Sequence, residues 1–133
     1  MKKLLFLMLI GTQCLFAQDY VNQVLVLNEG RYDYSNSQID VPVTLGSYNP
    51  TTQVYVVVDT IVGARFASDM VIDGDNIFIV ADTLLLKYDL NSFQILSTQT
   101  VIGGRNIAIV DDKVFVTRGE YGIDLSSYLQ VFS

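Results

Sequence analysis

The sequence predicts an all-β fold of short antiparallel strands, on three observations. Beyond Gln18 the chain runs in short stretches rich in Val, Ile, Tyr, Phe and Thr, separated by clusters of Gly, Asn, Asp and Ser, the residue choice of a pleated, half-buried surface. No window there keeps the 3.6-residue apolar spacing of an amphipathic helix. The chain also matches itself at offsets of 37 and 40 residues, and periods of this size belong to repeat architectures. With 133 residues, half of them hydrophobic and 17% charged, the chain suffices for one domain with a core and does not have a disordered composition.

Residues 1–18 are read as a secretory signal peptide. Lys2 and Lys3 precede the apolar run Leu4 to Ile10, which continues weakly to a small-residue cleavage site at Ala17. The run is too short for a stable membrane anchor, which needs about 20 apolar residues, and no membrane insertion is expected after cleavage. A lipoprotein would place a small residue before the modified Cys, whereas Gln13 precedes Cys14; a buried N-terminal helix is the other alternative. Cleavage removes two of the eight basic side chains and none of the fourteen acidic ones, moving the net charge from −6 to about −8. It also removes Cys14, the single cysteine, so a protein secreted, periplasmic or held at the cell surface would rely on sheet packing without disulfides.

The remaining domain, residues 19–133, repeats internally. An offset of 40 places Tyr48 on Tyr88, Thr60 on Thr100, Gly63 on Gly103 and Arg65 on Arg105. An offset of 37 places Ile72 on Ile109, Asp75 on Asp112 and Phe78 on Phe115. The second unit gives four strands: Ser68 to Ile72, Ile77 to Ala81, Leu84 to Leu90 and Phe93 to Ile102. Asp73-Gly74-Asp75-Asn76, between two apolar runs, reads as a hairpin whose turn needs positive φ; the next unit has Asp111-Asp112 at that place. Three strands precede Gly63 (around Val24 to Asn28, Val43 to Asn49 and Gln53 to Thr60) and three lie between Asn106 and Phe132. Runs such as Ile77-Phe78-Ile79-Val80 are apolar on both faces, as a sheet sandwiched between two others requires.

Four antiparallel strands per roughly 40 residues is the unit of a β-propeller. The expectation is a partial β-propeller of about two and a half to three four-stranded blades, over residues 22–62, 67–102 and 106–133. Because propellers close with about four to eight blades, the sequence reads as an N-terminal fragment whose partners include the remaining blades, and which would associate through its last edge strand. A ten-stranded β-sandwich is the alternative.

Successive turns of a meander alternate between its two ends, which sorts the loops. The Asp73 to Asn76 and Asn91-Ser92 turns fall at one end. The crossings Gly63-Ala64-Arg65 and Gly103-Gly104-Arg105 and the long loops Glu29 to Pro42 and Gly119 to Ser126 fall at the other, which gathers Glu29, Arg31, Tyr32, Tyr34, Arg65, Arg105, Arg118, Glu120 and Tyr121 as candidate binding residues. Each also has a plain structural role: Gly63, Gly103, Asp73 and Gly74 as turn residues, Arg65 and Arg105 as braces on carbonyls or an Asp, and the tyrosines as packing or as stacking platforms for a sugar or peptide.

The absence of His removes the commonest general base and metal ligand, and the acidic balance argues against nucleic acid. Asp73 to Asn76 lacks the spacing of an EF-hand. No metal and no cofactor are expected.

Val24-Leu25-Val26-Leu27-Asn28-Glu29-Gly30 directly after a signal peptide, the Gly-x-Arg crossings and the strand from Asp112 to Thr117 together resemble the N-terminal part of YncE-like, surface-layer-type bacterial β-propeller proteins. The resemblance implies a non-catalytic binding or interaction scaffold at the cell surface or in the periplasm, with a protein or glycan ligand. A propeller enzyme of lactonase or quinoprotein type, completed by further blades, and a structural surface-layer module are the alternatives.

Overall fold

The computed structural model describes residues 23–133; the segment 1–18 expected to be a signal peptide, with Cys14, lies outside the described residues. The described span holds twelve strands and no helix. In chain order they are β1 (Val24–Asn28), β2 (Arg31–Asp33), β3 (Gln38–Val41), β4 (Thr44–Asn49), β5 (Val54–Thr60), β6 (Ala67–Asp73), β7 (Asn76–Ala81), β8 (Leu84–Asp89), β9 (Ile95–Thr100), β10 (Gly104–Val110), β11 (Lys113–Arg118) and β12 (Leu129–Phe132). They form a first sheet β1-β4-β5, a separate hairpin β2-β3, a middle sheet β6-β7-β8-β9 and a third sheet β10-β11-β12, every pairing antiparallel.

Two positions differ from the sequence expectation. The segment Glu29 to Pro42 is not a plain loop: Arg31–Asp33 pairs with Gln38–Val41 across a turn held by the Asp33 carboxylate, which accepts from the backbone N–H groups of Ser35 and Asn36. These strands are short, polar and outside the 40-residue period, so pattern alone leaves them hidden. Arg105 does not lie in a crossing; it sits inside β10.

Side-chain alternation along β7 explains the packing. Ile77, Ile79 and Ala81 point to one face of the middle sheet and meet Leu45 of the first sheet and Val43 just before β4, joined by Leu86 and Tyr88 of β8. Phe78 and Val80 point to the other face, where with Leu85 they meet Ile107, Val114 and Val116 of the third sheet. A period of two along the strand thus puts every β7 side chain from Ile77 onward into one of two cores. Between the first and middle sheets the Tyr88 hydroxyl donates to Asp59 Oδ2 at 2.9 Å. Burial pushes the Tyr88 phenol well above its ordinary value, and the Asp59 carboxylate that accepts its proton adds to the shift.

The two sequence offsets have separate structural counterparts. At 40, Asn49 and Asp89 each accept from two backbone N–H groups of the turn that follows; Gln53 and Phe93 both sit at φ 57; and Tyr48 pairs with Tyr55 as Tyr88 pairs with Ile95. At 37, Ala67 and Gly104 occupy matching places before a bulge, opposite Ala81 and Arg118. The offset changes because the crossing between β5 and β6, Ile61 to Phe66, is three residues longer than the crossing Val101 to Gly103 between β9 and β10. Arg65 lies in the longer crossing, so it and Arg105 do not occupy the same place in their sheets, although the 40-residue offset aligns them.

Gly63, Gly74 and Gly103 adopt φ of 84°, 54° and 66°. In the β6-β7 hairpin only Gly74, the first of the two loop residues, is left-handed, the φ pattern of a type II′ turn. In the β10-β11 hairpin Asp111 and Asp112 are both left-handed, at φ 49° and 60°, the pattern of a type I′ turn that prefers Asn-Gly. The double replacement Asp111→Asn with Asp112→Gly is therefore expected to raise stability by about 1 kcal/mol, read from the midpoint of urea unfolding.

Candidate functional site

The crossings and the turn between β7 and β8 lie together at one end of the stack. Asp82 N–H donates to Phe66 O, Val101 N–H to Thr83 O, and Gly119 N–H to Gly103 O. At the other end Leu90 N–H donates to Asp75 O. The first end carries the candidate residues, and their surroundings divide them into three groups.

The first group centres on Arg65. Its Nε donates to Asp82 Oδ2 at 2.8 Å and its Nη2 to Asp82 Oδ1 at 2.6 Å, a two-pronged ion pair, and its backbone N–H also reaches Oδ2. The guanidinium carbon stands 5.3 Å from the centre of the Phe66 ring and 5.9 Å from that of Tyr32. Tyr32 meets Tyr34 edge to face at 5.0 Å. The Arg65 hydrogen bonds hold the Asp82 carboxyl below the ordinary carboxylate value against the opposing effect of burial, and Asp82 in turn holds Arg65 protonated. Asp82 was not evident from the sequence. Its only signal is an acidic residue in a two-residue turn, where it adopts φ 53°.

The second group lines an open depression of about 400 Å³. Leu27 and Glu29 come from the end of β1 and just beyond it, Phe66 and Ser68 from the entry to β6, and Arg105 and Asn106 from β10. The depression forms because the first strands of neighbouring sheets converge here: Ala67 N–H donates to Glu29 O, and Ile107 N–H to Asp69 Oδ2. Arg105 is steadied by donation from Nε to Gly119 O at 2.8 Å. Of the sequence candidates, Glu29 and Arg105 meet in this depression; Phe66, Ser68 and Asn106 carried no signal in the sequence. Phe66 joins the two groups, since its ring lies under Arg65.

The remaining candidates stand apart. Arg31 pairs with Asp40 within the β2-β3 hairpin, both exposed. Arg118 donates from Nε to Ile102 O at 2.9 Å and from Nη1 to Ser127 O at 3.3 Å, bracing the loop that follows β11. Glu120 is half-buried and adds its attraction to Arg65, while Tyr121 is 98% exposed.

Chemically, the depression offers one carboxylate, one guanidinium, a hydroxyl and an amide beside an aromatic ring. That set gives hydrogen-bond donors and acceptors of both charges to a polar ligand. Among the described residues no three metal-ligating side chains of the His, Cys, Asp or Glu type converge. No protein-family model matches the sequence, and a search of curated proteins found no match.

Proposed function

We propose that this protein is an exported binding scaffold of β-propeller type, without catalysis, in which the three sheets are successive blades of a repeat of 37 to 40 residues. The both-sided packing of the middle sheet and the turn caps shared at a constant offset support the blade reading. The basic, apolar and small-residue order of residues 1–18 supports export.

One observation carries the binding reading: Glu29, Ser68, Arg105 and Asn106 meet beside Phe66 where the first strands converge. Paired charges, hydroxyl and amide groups on a rigid scaffold are suited to the polar groups of a glycan or of a protein surface. The test is retention of the purified protein on immobilised bacterial surface polysaccharides and glycoproteins, comparing wild type with Glu29→Gln and Arg105→Ala. Retention that falls at least tenfold in both variants, with unchanged thermal unfolding, is the expected result. Retention indifferent to both substitutions, or turnover of a sugar lactone by the wild-type protein, would overturn the reading.

A further inference from the structure

A separate cleft of about 280 Å³ opens between the first and middle sheets. The end of β5 and the crossing after it supply one side, and β8 and β9 the other. Its wall is apolar: Ile61 and Leu86 are buried, and Leu84 and the half-exposed Ile95 continue the lining outward. Into this wall are set one carboxylate, Asp59, and one phenol, Tyr88.

The carboxylate is only partly used. The Tyr88 hydroxyl donates to Asp59 Oδ2 at 2.9 Å, and the Thr60 backbone N–H donates to Oδ1 at 2.7 Å. A carboxylate offers about four lone-pair sites, so each oxygen keeps one for a further donor. Asp59 is half-buried, and among the described residues no Lys or Arg pairs with it. A negative charge held against an apolar wall without a counter-charge is costly, and an incoming cation relieves that cost.

The sheet contact itself does not require this charge. Asp59 pairs with Leu45 as Gln99 pairs with Leu85, and Tyr88 pairs with Ile77 as Phe132 pairs with Val114. Between the middle and third sheets, a neutral amide and a phenyl ring therefore hold the places that here hold the carboxylate and the phenol. The acidic group is peculiar to the first cleft.

We infer that this cleft binds a small organic cation, a primary ammonium on an apolar chain. The chain lies along Ile61, Leu86 and Ile95, and the ammonium donates to the free lone pairs of Asp59. A single carboxylate in an apolar wall does not suit a divalent metal, which takes six or more oxygen ligands, and it repels an anion. The cleft shares no residue with the depression beside Phe66, so the inference goes beyond the glycan reading and stands without it.

Nuclear magnetic resonance titration of the purified protein tests it, following the methyl signals of Ile61 and Leu86. The probes are n-hexylammonium, 1-hexanol and hexanoate, which share one apolar chain and differ in charge. Hexylammonium is expected to bind at least tenfold more tightly than hexanol, and hexanoate not at all. Asp59→Asn keeps the shape and an acceptor for Tyr88, and is expected to bring hexylammonium down to the level of hexanol. Thr98→Trp, at an exposed lining position, leaves the core intact and is expected to block both probes, so the site is read even if Asp59→Asn does not fold. Equal binding of the amine and the alcohol, a preference that survives Asp59→Asn, or binding that survives Thr98→Trp would each overturn the inference. So would an acetylated, amidated lysine that binds tenfold more tightly than hexylammonium, because the occupant would then be a protein side chain.

Discussion

Asp82→Ala is expected to destabilise the protein by about 3 kcal/mol, the lower end of what breaking a buried ion pair costs. The side chains of Arg65 and Asp82 are 32% and 11% exposed, so the guanidinium left behind is partly rescued by water and its loss is not that of a fully buried charge. The pair does more than attract. Asp82 accepts the Arg65 backbone N–H as well as two guanidinium bonds, so it ties the long β5-β6 crossing to the β7-β8 turn. The pH dependence has a definite sign. Arg65 lowers the Asp82 pKa in the folded protein below the ordinary 3.8, so the unfolded chain binds this proton more readily. The stabilisation is complete above about pH 4 and is lost as the pH falls through the folded value. Asp33 and Asp89 are also lowered, by the turn N–H groups and side chains they accept from, and they contribute to the same acid limb. The difference between wild type and Asp82→Ala isolates the pair: it should be largest at neutral pH and shrink below pH 4. A gap under 1 kcal/mol at neutral pH, measured by urea unfolding, would contradict this account.

Gly103→Ala and Gly104→Ala should each cost about 2 kcal/mol, for different reasons. Gly103 adopts φ 66°, and a Cβ there would lie 3.0 Å from the backbone of Gly119, which cannot swing away. The left-handed penalty of about 1–2 kcal/mol therefore adds to a clash. At Gly104 the cost is overpacking, about 1–3 kcal/mol: a Cβ would stand 2.6 Å from Val80 Cγ1 and 3.2 Å from Val101 Cγ1, both valines fully buried. Gly74→Ala is the control. It shares the positive φ but meets nothing within 4 Å, so about 1 kcal/mol is expected from conformation alone. Equal losses at all three positions would mean that close packing at the crossing contributes nothing.

What the sequence made legible follows from what repeats. The strands of the middle sheet were readable because β7 is apolar at every residue from Ile77 to Ala81 and because Asp-Gly marks its entry turn. The positive φ of Gly63 and Gly103 was readable for the same reason, a glycine recurring at a fixed offset. Gly104 was not, because a glycine required by close packing looks no different in sequence from one required by backbone. The β2-β3 hairpin escaped because Arg31-Tyr32-Asp33 offers too few residues for an alternation to emerge. Among the site residues, Glu29 and Arg105 were found by their placement at one end of the meander, and their meeting was not. That meeting depends on β1, β6 and β10 converging, a property of sheet stacking that no local pattern records. Arg65 and Arg105 were aligned by an offset that changes by three residues within the crossing itself, so their apparent recurrence had no structural counterpart.

The β2-β3 hairpin hydrogen-bonds along its length only to itself and springs from a place where the middle sheet manages with two residues, Asp82 and Thr83. Beyond the Arg65 guanidinium standing over the Tyr32 ring, no hydrogen bond among the described residues ties its strands or its tip to the three sheets. Natural variants could lengthen, shorten or recolour this limb with little penalty to folding, much as an interchangeable tool is fitted to a common handle.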